Sequence, residues 1–223
     1  MKRFLALVSL AGVLVLTGCA KPVSYDYTAF KQSKPKSILV LPPLNHSPDI
    51  NAGASFLTQV TYPLAESGYY VLPIAVVDET FKQNGLMTAQ DIQAVNVSRL
   101  HQIFGADAAL YLDITDYGSK YRVIDSETRV TANARLVDLR TGKALWKGTA
   151  TASTNEDQSN SNNGIIGLLV QAAINQVANT ITDKGHDIAG ITSARLLTAG
   201  GPGHILYGPR SPLYGKDASK DVR

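Results

Sequence analysis

The chain has 223 residues, 44% of them hydrophobic, 17% charged and 7% aromatic, with 21 Lys+Arg against 18 Asp+Glu. That is too apolar for a disordered protein and long enough for one domain of roughly 150 residues with extensions. A net charge of +3 gives no electrostatic footprint for nucleic acid, and a single cysteine excludes an internal disulfide framework or a cysteine-only zinc site within one chain.

Lys2 and Arg3 precede an apolar run from Phe4 to Leu16. At 1.5 Å per residue that run spans about 20 Å, short of the roughly 30 Å hydrocarbon core, so it reads as a signal-peptide segment and not as a transmembrane helix. It ends in Leu16-Thr17-Gly18-Cys19, which matches the bacterial lipobox at every position. Small residues at 17 and 18 admit a peptidase to the backbone, and the Cys19 thiol is the nucleophile for lipid transfer. The resemblance implies cleavage between Gly18 and Cys19, a diacylglycerol thioether on Cys19 and N-acylation of the new amine, which would anchor the chain in a lipid bilayer. No other cofactor and no metal is expected. Ala20 stands where an aspartate would resemble an inner-membrane retention signal, which implies sorting to the outer membrane, facing the periplasm or the surface.

Residues 20–36 contain two prolines and no sustained period, and read as a tether. Ser37-Ile38-Leu39-Val40-Leu41, a continuous aliphatic run stopped by Pro42 and Pro43, suits a strand buried on both faces. Gly53 to Gly68 has helical spacing interrupted by Pro63, and Tyr69 to Pro73 reads as the next strand, so this is a βαβ unit with parallel strands. Helical pieces follow over 76–84, from a cap at Thr88, and over 98–104 ending at Gly105. The period then changes to two. Ala109 to Tyr117, Val130 to Asp138 and Ala144 to Ala150 form an antiparallel meander with one wet face, turned at Arg140-Thr141-Gly142-Lys143. Residues 153–163 are a polar loop, and Gly164 to Asp183 is a long helix whose wide apolar surface, with Val170 and Ile174 at its middle, suits a helix clamped between the sheet and other helices, or one that makes part of a subunit interface. The domain organisation is therefore a signal peptide over 1–18, lipidated cysteine and tether over 19–36, an α/β domain over 37–189, and a Gly/Pro-rich extension over 190–223.

That extension repeats Leu-Tyr-Gly at 206–208 and 213–215. Its Tyr207, Pro209, Arg210, Pro212, Leu213 and Tyr214 are costly to leave in a solvated tail and form a candidate partner-binding surface, with docking onto the chain's own domain as the alternative. No catalytic constellation emerges. His46, His101, His186 and His204 have no metal-ligand spacing, and no phosphate loop or nucleophile elbow is present. Asp113 and Asp116 fall on opposite faces of their strand by alternation, a poor acid/base pair. Asn96-Val97-Ser98 matches a glycosylation triplet without consequence, and Trp146 is core.

With the lipobox, the strand Ile38-Leu39-Val40-Leu41-Pro42-Pro43 and the tail Gly208-Pro209-Arg210-Ser211-Pro212-Leu213-Tyr214-Gly215, the chain resembles a bacterial outer-membrane lipoprotein family of neisserial antigen type and unknown function. Such domains look like the N-terminal domain of TolB and the periplasmic part of CsgG. The resemblance implies an α/β fold: a mixed sheet with a βαβ start and an antiparallel meander, and helices packed on it. It also implies a non-catalytic accessory subunit of an envelope transport, secretion or assembly complex, homodimeric and with envelope protein partners. The alternative is an activator of a peptidoglycan synthase.

Overall fold

Ser37–Val40 (β1) is a continuous aliphatic strand because both of its faces are covered: Ile38 and Val40 enter one core and Leu39 enters another. The computed structural model describes residues 25–121, 126–156 and 183–216. After Thr28–Ser33 (α1) and β1 come Leu44–Asn45 (β2), Ala52–Thr58 (α2), Thr61–Glu66 (α3) and Tyr70–Val71 (β3). Ile74–Gln83 (α4), Ala89–Gln93 (α5) and Val97–Phe104 (α6) lead to the long strands Ala108–Tyr121 (β4), Ser126–Asp138 (β5) and Ala144–Ser153 (β6). Lys184–Leu197 (α7) follows. The sheet order is β3-β1-β4-β5-β6, with β2 also pairing β4. β1 is parallel to β3 and β4, whereas β4, β5 and β6 are antiparallel. The fold is thus a mixed open sheet with a βαβ start and an antiparallel meander, as expected.

Pro63 divides the helix expected over 53–68 into α2 and α3, and it sits in the first turn of α3, where its missing N–H leaves no bond unmade. Thr88 caps α5 by accepting from the Asp91 N–H at 3.1 Å. Asn96 caps α6 in the same way from the Ser98 N–H at 2.9 Å, so the Asn96 triplet serves as a helix start.

Helices α2, α3 and α7 pack on the sheet face carrying Leu110, Leu112, Ile114, Val130, Leu136 and Trp146, and Trp146 Nε1 donates to Gly203 O at 2.8 Å. Helices α4 to α6 cover the other face over β1, the first residues of β4 and the end of β5, through Val77, Phe81, Ile92 and Leu100, which pack with Leu39, Tyr111 and Val137. The meander's wet face therefore begins beyond Tyr111. Thr115 is unpaired between Ile114↔Ala132 and Asp116↔Thr131. This bulge adds one residue and brings Asp116 to the same face as Asp113, against the alternation expected from the sequence.

Two expected boundaries move. Part of the 19–36 tether is folded, since α1 forms there with Tyr27 and Phe30 buried. The boundary at 190 falls inside α7, and Ile205 is fully buried, so the first part of the extension belongs to the domain. The polar loop over 153–163 is described only to Glu156, and the helix over 164–183 lies outside the described residues up to Asp183.

Candidate interaction site

α1 is short and survives by its ends and its packing. The Asp26 carboxylate accepts from the Thr28 N–H at 2.9 Å, and hydrogen bonding from Thr28 holds its pKa below the usual value. Lys34 closes the helix in the left-handed region at φ 48°, its N–H reaching Phe30 O. Tyr25 and Tyr27 stack at 4.7 Å between ring centres; the Lys147 N–H donates to Tyr25 Oη at 2.8 Å, and Tyr27 Oη donates to His204 O at 2.5 Å. The N-terminal segment is thereby bound both to the sheet edge and to the tail.

Beyond α7 the tail crosses the α3–β3 turn. The Gly208 N–H donates to Ser67 O at 2.8 Å, the Arg210 N–H donates to Gly68 O at 3.1 Å, and Tyr69 Oη donates to Leu206 O in a short bond. The crossing requires two glycines. A Cβ on Gly208 would lie 2.5 Å from Gly68 O, and one on Gly68, whose φ is +96°, would lie 2.5 Å from Ser211 N. The Arg210 guanidinium sits 5.1 Å above the Tyr70 ring. Residues 205–211 thus dock on the chain's own domain. A turn closed by the Tyr214 N–H on Ser211 O then brings the chain back towards α1.

Between α1 and the returning tail lies a cleft of about 360 Å³. Phe30, Tyr69, Leu206, Tyr207 and Tyr214 give it an apolar, aromatic lining, and Lys31 and Lys34 stand at its edge. Of the residues expected at a partner surface, Tyr207 and Tyr214 line this cleft and Arg210 stacks beside it. Pro209 is half-buried; Pro212 and Leu213 are exposed on the turn. Gly18, Cys19, Val170 and Ile174 lie outside the described residues. Phe30, Lys31, Lys34 and Tyr69 were not singled out by sequence reasoning. The available signal was Tyr25, Tyr27 and Phe30, three aromatics that a solvated tether has no reason to carry.

Two polar clusters lie elsewhere. Tyr117 Oη donates to Ser55 Oγ at 2.6 Å, and Ser55 Oγ lies 2.8 Å from His186 Nδ1, whose other ring nitrogen meets the Gln59 side-chain amide. Burial pushes the Tyr117 pKa up, with the Ser55 bond opposing it. Ser55 is engaged from both sides, so the cluster braces α2 and α7 against β4. On the wet face, His46 Nε2 lies 2.9 Å from Asp113 Oδ1, and a shallower cleft of about 610 Å³ is lined by Asp113, Asn133, Arg135, Lys147 and Thr149. Among the described residues no group of three or more His, Cys, Asp or Glu is placed to hold a metal ion.

A family model described as "Putative lipoprotein GNA1162-like" matches residues 25–210. NMB1124/NMB1162 of Neisseria meningitidis serogroup B, which carries the same lipoprotein description, is 52% identical over 206 residues, covering 92% of this chain and 95% of that protein. The crystal structure of GNA1162 from Neisseria meningitidis is similar at 55% identity with a TM-score of 0.54, covering 66% of this chain and all of that one. The LpoB C-terminal domain from Salmonella enterica is more distant, at 17% identity and a TM-score of 0.40 over 57% of this chain and 98% of that chain.

Proposed function

The chain belongs to the GNA1162-like lipoprotein family, and from that premise we propose that it is a non-catalytic accessory subunit of an envelope transport, secretion or assembly complex, held at the outer membrane by lipid on Cys19. One observation carries the reading: Tyr25, only six residues after Cys19, has its hydroxyl bonded to the Lys147 N–H of β6. Six links separate Cys19 from Tyr25, and even fully extended they reach about 20 Å. A domain held that closely suits partners embedded in or resting on the same membrane. The same reach weighs against the alternative of activating a peptidoglycan synthase across the periplasm. The Tyr117–Ser55–His186–Gln59 cluster braces α2 and α7 against β4, and the aromatic cleft offers a docking surface of the kind an accessory subunit needs.

The test is crosslinking in intact cells, followed by affinity purification and mass spectrometry. Transport, secretion or assembly subunits of the envelope are the expected captures. Recovery of cell-wall synthases, or of self-crosslinks alone, overturns the accessory-subunit reading. In parallel, Cys19→Ser should move the protein from the membrane fraction to the soluble fraction.

A further inference from the structure

We propose that the cleft between α1 and the tail takes an anionic phospholipid headgroup of the bilayer to which the chain is tethered. This deepens the reading above and rests on its lipid anchor. Position is the first support. Tyr25 lies six residues after Cys19 in the sequence, and α1, one wall of the cleft, starts three residues later. The cleft therefore belongs to the end of the domain nearest the anchor, within about 20 Å of it along the chain before Tyr25.

Charge complementarity is the second support. Lys31 and Lys34 are exposed at the cleft edge and have no acidic partner among the described residues. The acidic groups next to them in the chain and the fold are otherwise engaged: Asp26 caps α1, and Asp107 accepts from the Lys36 and Ser37 N–H groups. Two exposed ammonium groups beside a Tyr69, Tyr207 and Tyr214 lining combine the two residue types that suit a membrane–water interface. The ammonium groups would meet the phosphate, and the ring faces would cover the glycerol and the first methylenes of the lipid.

A chain from Ala20 to Arg223 contains every described residue and lacks the lipid-bearing Cys19, so it isolates the headgroup contact. It is floated with phosphatidylcholine vesicles with and without phosphatidylglycerol. Binding only to the anionic vesicles, weakened by salt, is expected. Lys31→Gln with Lys34→Gln should lower that partition about 25-fold, at about fivefold per lysine. Both side chains are exposed and make no hydrogen bond among the described residues, so an unchanged melting curve is expected to accompany the loss. Equal flotation on both vesicle types, no flotation, or full binding by the double variant overturns the proposal. Capture of an envelope protein that Tyr214→Ser releases while the double lysine variant retains it assigns the cleft to a polypeptide and overturns it too. Failure of flotation leaves the anchor to be judged by Cys19→Ser fractionation, so the two readings fail separately.

Discussion

Gly208→Ala tests whether the tail is part of the domain. The new methyl would sit 2.5 Å from Gly68 O and 2.7 Å from Gly68 C, both backbone atoms that cannot swing away. Relief requires the tail to lift from the α3–β3 turn. That breaks the Gly208-to-Ser67 and Arg210-to-Gly68 hydrogen bonds, worth about 1 kcal/mol each, or leaves an overpacked crossing that costs about 1–3 kcal/mol. Either route costs about 1–3 kcal/mol, which corresponds to a fall in Tm of roughly 2–12 °C for a domain of this size. The control is Gly203→Ala, in the same tail at φ +75° with nothing within 4 Å of the added Cβ. It carries only the left-handed backbone penalty of about 1–2 kcal/mol. Both variants are followed by thermal circular dichroism. A Gly208→Ala melting temperature at or above that of Gly203→Ala refutes the docking of the tail on its own domain.

Two further outcomes follow from electrostatics. Burial pushes the Asp138 pKa up, but hydrogen bonds from Ser33, Thr141 and Arg140 outweigh it, so the folded value lies below the usual one. The buried carboxylate holds the β5–β6 turn through the Arg140 and Thr141 N–H groups at 2.9 and 2.8 Å and fixes the end of α1 through Ser33. Asp138→Asn should cost about 2–4 kcal/mol at neutral pH, two charge-assisted bonds' worth. Because the folded pKa is depressed, the carboxylate's contribution is present above about pH 4 and is lost as pH falls through the folded value, so the two melting temperatures should converge in acid; a constant gap down to pH 2 contradicts this. Tyr111 is raised chiefly by burial, while Arg135, 4.6 Å above its ring, draws it down. Arg135→Gln should therefore raise the Tyr111 pKa further, followed by NMR titration of the ring.

The lipobox, the alternation in β4 to β6 and the aliphatic run of β1 are local patterns, and each was legible because a single strand or segment displays its own period. The βαβ start followed from spacing alone, and the caps at Thr88 and Gly105 from residue type. α7 was not legible. Gly185, Gly190, Thr192 and Ser193 lower its intrinsic helix propensity, yet the two glycines are what let it approach, since a Cβ on Gly185 would lie 2.9 Å from Tyr117 and one on Gly190 would lie 3.2 Å from Gln59. The bulge at Thr115 was hidden for the complementary reason, because it is a property of the pairing with β5 and not of β4 by itself.

The candidate site divides along the same line. The sequence by itself determined that Tyr207 and Tyr214 are too apolar for a free tail and that Cys19 lies in a lipidation motif. Only the tertiary structure decided that α1 is a wall of the same cleft and that the tail docks through the Gly68–Gly208 crossing. Those facts depend on contacts between segments about 140–180 residues apart, such as Tyr27 with His204 and Gly68 with Gly208. No window of sequence contains both partners, and the free energy that orders each segment comes from burying it against the other.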